Sequence, residues 1–237
     1  MMCVILQKIP IDCRAVDEFL KGGLAIESVT LVYGEAETGK TTLAMQCAVK
    51  CAELGYKTLY IDADQTFSAQ RLYQVISAKP DEILEMVILV RPKDFREQAS
   101  VVDQLSDYVG KNFKLVVFDT VTSLYRLRIA ESPSRTFEFN RELNRQLAVL
   151  AQAARTQKIA ILLTSQVHSV PNGTPISIEP VATRVVKFWA DTVVAMRQTE
   201  RQQVIQTTVE KNLAKLPPAV FNLRIAEHGI HDDLARR

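Results

Sequence analysis

A chain of 237 residues, 47% hydrophobic and 24% charged, is long enough to bury a sizeable core as one large domain or two small ones. Its formal net charge of +2 excludes recognition of a nucleic acid by bulk charge, so any such contact has to come from local patches. No apolar run approaches the roughly 20 residues that cross a bilayer, and the N-terminus MMCVILQKIP has neither the basic region nor the cleavage site of a signal peptide, so the expected location is cytoplasmic.

The first predicted strand, residues 29–33, runs into Gly34-Glu35-Ala36-Glu37-Thr38-Gly39-Lys40-Thr41, a full match to G-x-x-x-x-G-K-[ST]. A helix follows at once, predicted over 40–54, with Leu43, Cys47, Cys51 and Leu54 on its inner face and Gly55 as its stop. Phosphate binding requires this order. Glycines let backbone N–H groups turn inward around an anion, and the helix N-terminus adds partial positive charge. Lys40 then neutralises β- and γ-phosphate oxygens, the Thr41 hydroxyl ligates Mg²⁺, and Thr42 completes the set of expected contacts. The expected ligands are ATP and Mg²⁺. Glu37 is an acidic side chain inside an anion-binding loop and is expected to face solvent. Cys47 and Cys51 share a helix face and read as small buried fillers. With Cys3 and Cys13 they form no CxxC pair and no metal-ligand spacing.

The second strand, 58–61, leads into Asp62-Ala63-Asp64. Residues 62 and 64 share a face if the strand persists, so either carboxylate could polarise an attacking water. Ser68 is placed to cap a helix that must end before Pro80. After a strand at 86–90, Asp94 and Glu97 have the spacing of a capping box. The helix they open turns Val101, Val102, Leu105 and Val109 inward and ends at Gly110. The strand at 115–118 ends in Asp119. That puts a carboxylate at the C-terminal edge of a parallel sheet beside the loop, where it can hold Mg²⁺ through water.

Residues 125–141 carry Arg126, Arg128, Arg135 and Arg141, with Tyr125, Phe137 and Phe139 interleaved. Arginines track phosphates and aromatic rings offer platforms for single-stranded bases, so this segment is the candidate DNA contact. Ser132-Pro133-Ser134 marks its middle as loop. Glu131, Glu138 and Glu142 dilute the charge, and Glu138–Arg141 and Glu142–Arg145 have helical salt-bridge spacing, so a solvated helix start is the alternative. A helix over 137–156 turns Leu143, Leu147, Leu150 and Ala154 inward, and a strand at 159–164 leads to Gln166. Residues 169–184 form a second loop with Gly173 and little basic or aromatic character, and His168 reads as a packing residue. After the strand at 192–196, two strands at 203–210 and 219–225 join through Leu216-Pro217-Pro218 without a crossover helix. The fold class is therefore α/β: a mostly parallel twisted sheet, helices on both faces, and an antiparallel C-terminal extension.

Taken together, these residues resemble the RecA/RadA recombinase superfamily, most closely its archaeal RadB group of short RadA paralogues. The likeness runs from residues 11–24 through Asp62-Ala63-Asp64-Gln65-Thr66-Phe67 and Arg71-Leu72. It continues in residues 119–126, Arg145-Gln146-Leu147, residues 164–168 and the segment ending Ala226-Glu227-His228-Gly229-Ile230. It implies a single RecA-type P-loop ATPase core over 1–237, with the strand before Gln166 lying between the phosphate-loop strand and the Asp119 strand. Gln166 falls on the family's γ-phosphate sensor and Asp64 on its catalytic glutamate. The resemblance also implies DNA repair and homologous recombination as the setting. Its partners would be single-stranded DNA, a RadA-type recombinase, and a Holliday-junction or repair nuclease, with a homo-oligomer left open. In the family, the edge carrying Lys211 and Lys215 lies near a neighbouring subunit's nucleotide; plain surface lysines are the alternative.

Three departures matter. Nothing matches the family's N-terminal helix-hairpin-helix domain or its docking linker, which argues against RadA-style filaments. Asp64 is one methylene shorter than glutamate, and Gln65 replaces the following glycine. These features favour slow, DNA-dependent ATP hydrolysis. The rival readings are an active DNA-stimulated ATPase or strand-exchange enzyme, and an ATP-gated binding module that does not hydrolyse.

Overall fold

The computed structural model describes residues 7–170 and 177–233. Nine strands pair in one sheet. They are β1 (Val29–Gly34), β2 (Lys57–Asp62), β3 (Val87–Val90), β4 (Phe113–Asp119), β5 (Ala160–Ser165), β6 (Thr192–Gln198), β7 (Val204–Lys211), β8 (Ala219–Ala226) and β9 (Gly229–Asp232). Their order across the sheet is β9-β8-β7-β6-β1-β5-β4-β2-β3. The six strands from β6 to β3 are parallel to their neighbours, whereas β7, β8 and β9 extend the sheet antiparallel. The expected α/β class is present, and β5 lies between β1 and β4.

The strands are apolar on both faces because helices cover both. The helices are α1 (Lys40–Glu53), α2 (Ala69–Val75), α3 (Phe95–Asp103), α4 (Ser123–Glu131), α5 (Thr136–Gln157) and α6 (Thr183–Trp189). Strand side chains alternate between the two sides. Leu31, Leu59, Ile61, Val116 and Phe118 pack with residues of α3, α4, α5 and α6. Val32, Tyr60, Leu115, Val117 and Leu162 pack with α1 and α2. The strand β3 forms the outer edge of the parallel half, and its Ile88 and Leu89 are exposed.

Local signals account for most boundaries. Gly55 closes α1 in the left-handed conformation, at φ 83°, with its N–H donating to Ala52 O and that of Tyr56 to Cys51 O. The Ser68 hydroxyl accepts from Arg71 N at 3.2 Å and starts α2, which ends at Val75; Pro80 then opens a short separate turn, Pro80–Leu84. Asp94 accepts from Arg96 N and Glu97 N, both at 2.8 Å. Glu97 reaches back to Lys93 N rather than to Asp94 N, one residue beyond a capping box.

Several expectations need correction. Leu54 is 44% exposed: it sits at the C-cap of α1, beyond the turn that faces the core. Helix α3 stops at Asp103, and a separate turn, Leu105–Tyr108, places Leu105 inward. Residues 125–141 are largely helical, with only a 3₁₀ turn, Pro133–Arg135, between α4 and α5. Of the expected loop at 169–184, residues 171–176 lie outside the described residues; on either side of them Val167–Val170 pairs antiparallel with Ser177–Pro180, and α6 follows. The α6 helix is rich in β-branched residues, and burial of Val186 rather than propensity supports it. Cys47 and Cys51 are buried as expected, and no cluster of three potential metal ligands occurs among the described residues. Cys3 and Gly173 lie outside the described residues. No helix among the described residues is long and apolar enough to cross a membrane.

Candidate nucleotide site

The loop between β1 and α1 needs its two glycines for different reasons. A Cβ at Gly34 would lie 2.2 Å from the Met196 carbonyl oxygen of β6. Gly39 has φ +85°, and a Cβ there would meet Ile230 at 2.9 Å. The loop is thus pressed against β6 on one side and β9 on the other. Thr38 is fully buried and its hydroxyl donates to Glu35 O at 2.9 Å. Gln198 at the end of β6 donates from its side chain to Ala36 O at 3.0 Å. Glu37 adopts φ 62° and is exposed, so its charge faces away from the cradle.

Lys40 opens α1, and its ammonium folds back on the loop, donating to Gly34 O at 2.9 Å and Glu35 O at 2.6 Å. Burial lowers its pKa, and the charges of Asp119, Asp64 and Glu35 oppose that shift. A polyphosphate in the loop would exchange those carbonyls for phosphate oxygens without moving the helix. Thr41 and Thr42 sit half-buried in the first turn of α1, and Arg71 of α2 reaches the Thr42 hydroxyl at 3.5 Å.

Asp119 ends β4 with no exposed surface. Burial raises its pKa; hydrogen bonds from Thr164, Tyr60 and Thr41 oppose the shift, and nearby Asp64 reinforces it. Tyr60 of β2 donates to Oδ2 at 2.8 Å, and Thr164 of β5 donates to Oδ1. Strands on either side of β4 therefore fix this carboxylate. The strand order alone would have singled out both supports as polar residues near the C-terminal ends of its neighbours. A carboxylate and a threonine hydroxyl in contact are oxygen donors of the type Mg²⁺ takes, so Asp119 and Thr41 fit the expected metal pair.

The two candidate water-polarising carboxylates separate. Asp62 is fully buried and accepts from Thr66 N at 3.0 Å, Phe67 N at 3.2 Å and Arg91 Nε at 3.0 Å. These bonds occupy it as the organiser of the turn after β2. Asp64 is half-buried, and its N–H, like that of Ala63, donates to Asp119 O, which draws the end of β2 to the end of β4. Gln166 follows β5, and its Nε2 donates to Asp64 Oδ2 at 3.2 Å. The Gln166 carbonyl in turn accepts from Arg126 of α4. Lys40, Thr41, Asp119, Asp64 and Gln166 therefore meet at the C-terminal edge of neighbouring strands, and Arg126 joins them.

The other arginines of the candidate DNA segment lie elsewhere. Arg128, Arg135 and Arg141 line a groove of about 880 Å³ between α3, α4 and α5. Arg128 pairs with Glu131 at 2.9 Å and Arg135 with Glu138 at 2.6 Å, and both guanidinium groups lie over the Phe139 ring. Arg141 is exposed and has no ion pair among the described residues. The expected stacking platforms need correction. Tyr125 and Phe139 are buried in edge contacts with Phe95, and only Phe137 is open, at 82% exposed.

A family model described as Rad51 matches residues 4–233. The DNA repair and recombination protein RadB of Thermococcus kodakarensis is 33% identical over 222 residues, covering 92% of this chain and 96% of that protein. The protein of the same name from Thermococcus onnurineus is 32% identical over 226 residues, covering 94% of this chain and 96% of that one. A crystal structure of the RadB recombinase superposes with a TM-score of 0.80 at 31% identity, covering 94% of this chain and 99% of that chain. The chain belongs to the Rad51 family, within its RadB branch.

Proposed function

We propose that this chain is an ATP-responsive accessory of DNA repair and homologous recombination that binds Mg²⁺·ATP and single-stranded DNA and hydrolyses ATP slowly. The observation that carries the reading is the convergence of Lys40, Thr41, Asp119, Asp64 and Gln166 on the phosphate loop. Backbone N–H groups of residues 34–42 and the start of α1 cradle the phosphates. Lys40 holds the β- and γ-oxygens. Thr41 and Asp119 would hold Mg²⁺, which when bound neutralises phosphate charge. Asp64 takes the proton of the attacking water, and Gln166 reports the γ-phosphate. DNA lies along the α4 side of the site, with Arg126, Arg128, Arg135 and Arg141 as candidate phosphate contacts. In this reading the protein partner is a RadA-type recombinase or a repair nuclease, in keeping with the repair and recombination setting of the branch, and a homo-oligomer is compatible with the β3 edge.

A second reading, a binding module that never hydrolyses, draws on one observation: Asp64 is both short and engaged by Gln166. Steady-state phosphate release from Mg²⁺·ATP, with and without oligo-dT, separates the two. The proposal expects slow release that oligo-dT accelerates. Lys40→Ala should abolish nucleotide binding measured by calorimetry; unchanged affinity in that variant would remove the site assignment.

A further inference from the structure

We infer that Arg126 is a positioning residue that holds Gln166 against Asp64 and lets go when a polyanion draws its guanidinium away. This rests on the proposed function and adds its regulation. The three side chains form one hydrogen-bonded line, from the Arg126 guanidinium to the Gln166 carbonyl and from the Gln166 amide nitrogen to Asp64 Oδ2 at 3.2 Å. Its polarity is fixed by chemistry. A guanidinium can only donate and a carboxylate only accept, so the amide between them has a single orientation. With both ends occupied, Gln166 points its NH₂ group at Asp64 instead of at a nucleotide, and Asp64 has an acceptor lobe committed to it.

Exposure decides which member of the line is reachable. Asp64 and Gln166 are half-buried, whereas Arg126 stands exposed on the first turns of α4. Arg128 and Arg135 on the same segment are satisfied by Glu131 and Glu138, but Arg126 has no carboxylate partner among the described residues. Its remaining N–H groups are open to phosphate, and a charge-assisted bond to phosphate is stronger than one to a neutral amide. A strand of DNA on α4 therefore competes for the guanidinium directly. Once released, Gln166 can turn to the γ-phosphate and Asp64 can accept a water proton. The water oxygen then bonds to the γ-phosphorus, the bond to the β–γ bridging oxygen breaks, and that oxygen leaves with the electron pair as ADP. DNA stimulation follows without any movement of the sheet.

The test is steady-state phosphate release by the full chain with Arg126→Met, and with Arg126→Gln as a second variant, with and without oligo-dT. The expected result is a DNA-free kcat raised about ten-fold, the scale of one charge-assisted hydrogen bond, with KM for ATP unchanged and no further gain from oligo-dT. Arg126→Lys, which keeps a donor, should fall between wild type and Arg126→Met. A DNA-free kcat at or below wild type in both uncharged variants overturns the inference while leaving the proposed function intact. A wild-type chain that releases no phosphate under either condition overturns both.

Discussion

Asp64 stands where the family resemblance puts a catalytic glutamate, and its carboxylate is one methylene closer to the backbone. That backbone is not free to compensate, because the N–H groups of Ala63 and Asp64 both donate to Asp119 O and pin the end of β2 to the end of β4. The carboxylate therefore sits back from the phosphate loop, and a shift of about 1 Å can cost on the order of 10²-fold in rate. Asp64→Glu should raise single-turnover hydrolysis at saturating ATP, by about ten-fold or more if reach is the main defect. A slower variant would mean that Asp64 is not a shortened base. Asp62 offers the contrast. The two carboxylates look equivalent in the sequence, yet Asp62 is taken up by two backbone N–H groups and by Arg91, which lies just past β3. No local pattern announces an arginine delivered by the neighbouring strand, so strand periodicity could not separate the pair, and only the family resemblance singled out Asp64.

At the scale of elements, legibility followed how local the determinant was. The phosphate loop, the caps at Ser68 and Asp94 and the stop at Gly55 are set within a few residues, and each lies where the sequence places it. The same holds for the buried runs of β1, β2, β4, β5 and β6. Helices α4 and α6 were less readable. Ser132-Pro133-Ser134 marks the middle of residues 125–141 as loop, and the interruption there is a single 3₁₀ turn, Pro133–Arg135, because Tyr125 and Phe139 pack on Phe95 and hold α4 and α5 together. That packing takes away two of the three expected stacking rings, leaving charge as the main resource for DNA. Arg128 and Arg135 are already paired with glutamates, so Arg141 is the groove arginine with most to contribute. Arg141→Glu should weaken oligo-dT binding at low salt and flatten the plot of log affinity against log salt by about one unit. An unaltered slope in a fluorescence-anisotropy titration would place the DNA elsewhere.

Over the whole molecule, the antiparallel extension is what closes the candidate nucleotide site from behind. Chain direction carries β7, β8 and β9 away from β1, yet β9 returns to α1, and Ile225 and Ile230 sit against Gly39 of the loop. One side chain ties the two ends of the chain to the middle. Gln46 on α1 is 1% exposed; its Nε2 donates to Ile11 O at 2.8 Å and Ile230 O at 2.9 Å, and its Oε1 accepts from Ile230 N at 2.7 Å. Gly229 beside it has φ +121°, and a Cβ there would lie 2.5 Å from Gln46 Oε1, so the approach of β9 is built around this amide. Arg71 adds a second clamp, donating to Ala226 O at 2.9 Å and Glu227 O at 2.6 Å. Gln46→Leu fills similar space but strands two buried backbone groups, Ile11 O and Ile230 N, each worth about 1–3 kcal/mol when left unpaired, and leaves Ile230 O with only the Cys13 thiol as donor. The expected loss is about 3 kcal/mol or more in urea unfolding, with weaker ATP binding because Ile230 no longer backs Gly39. Stability within about 1 kcal/mol of wild type would mean that packing alone seats β9, and the phosphate loop would then owe its shape to β1 and β6 without help from the chain's end.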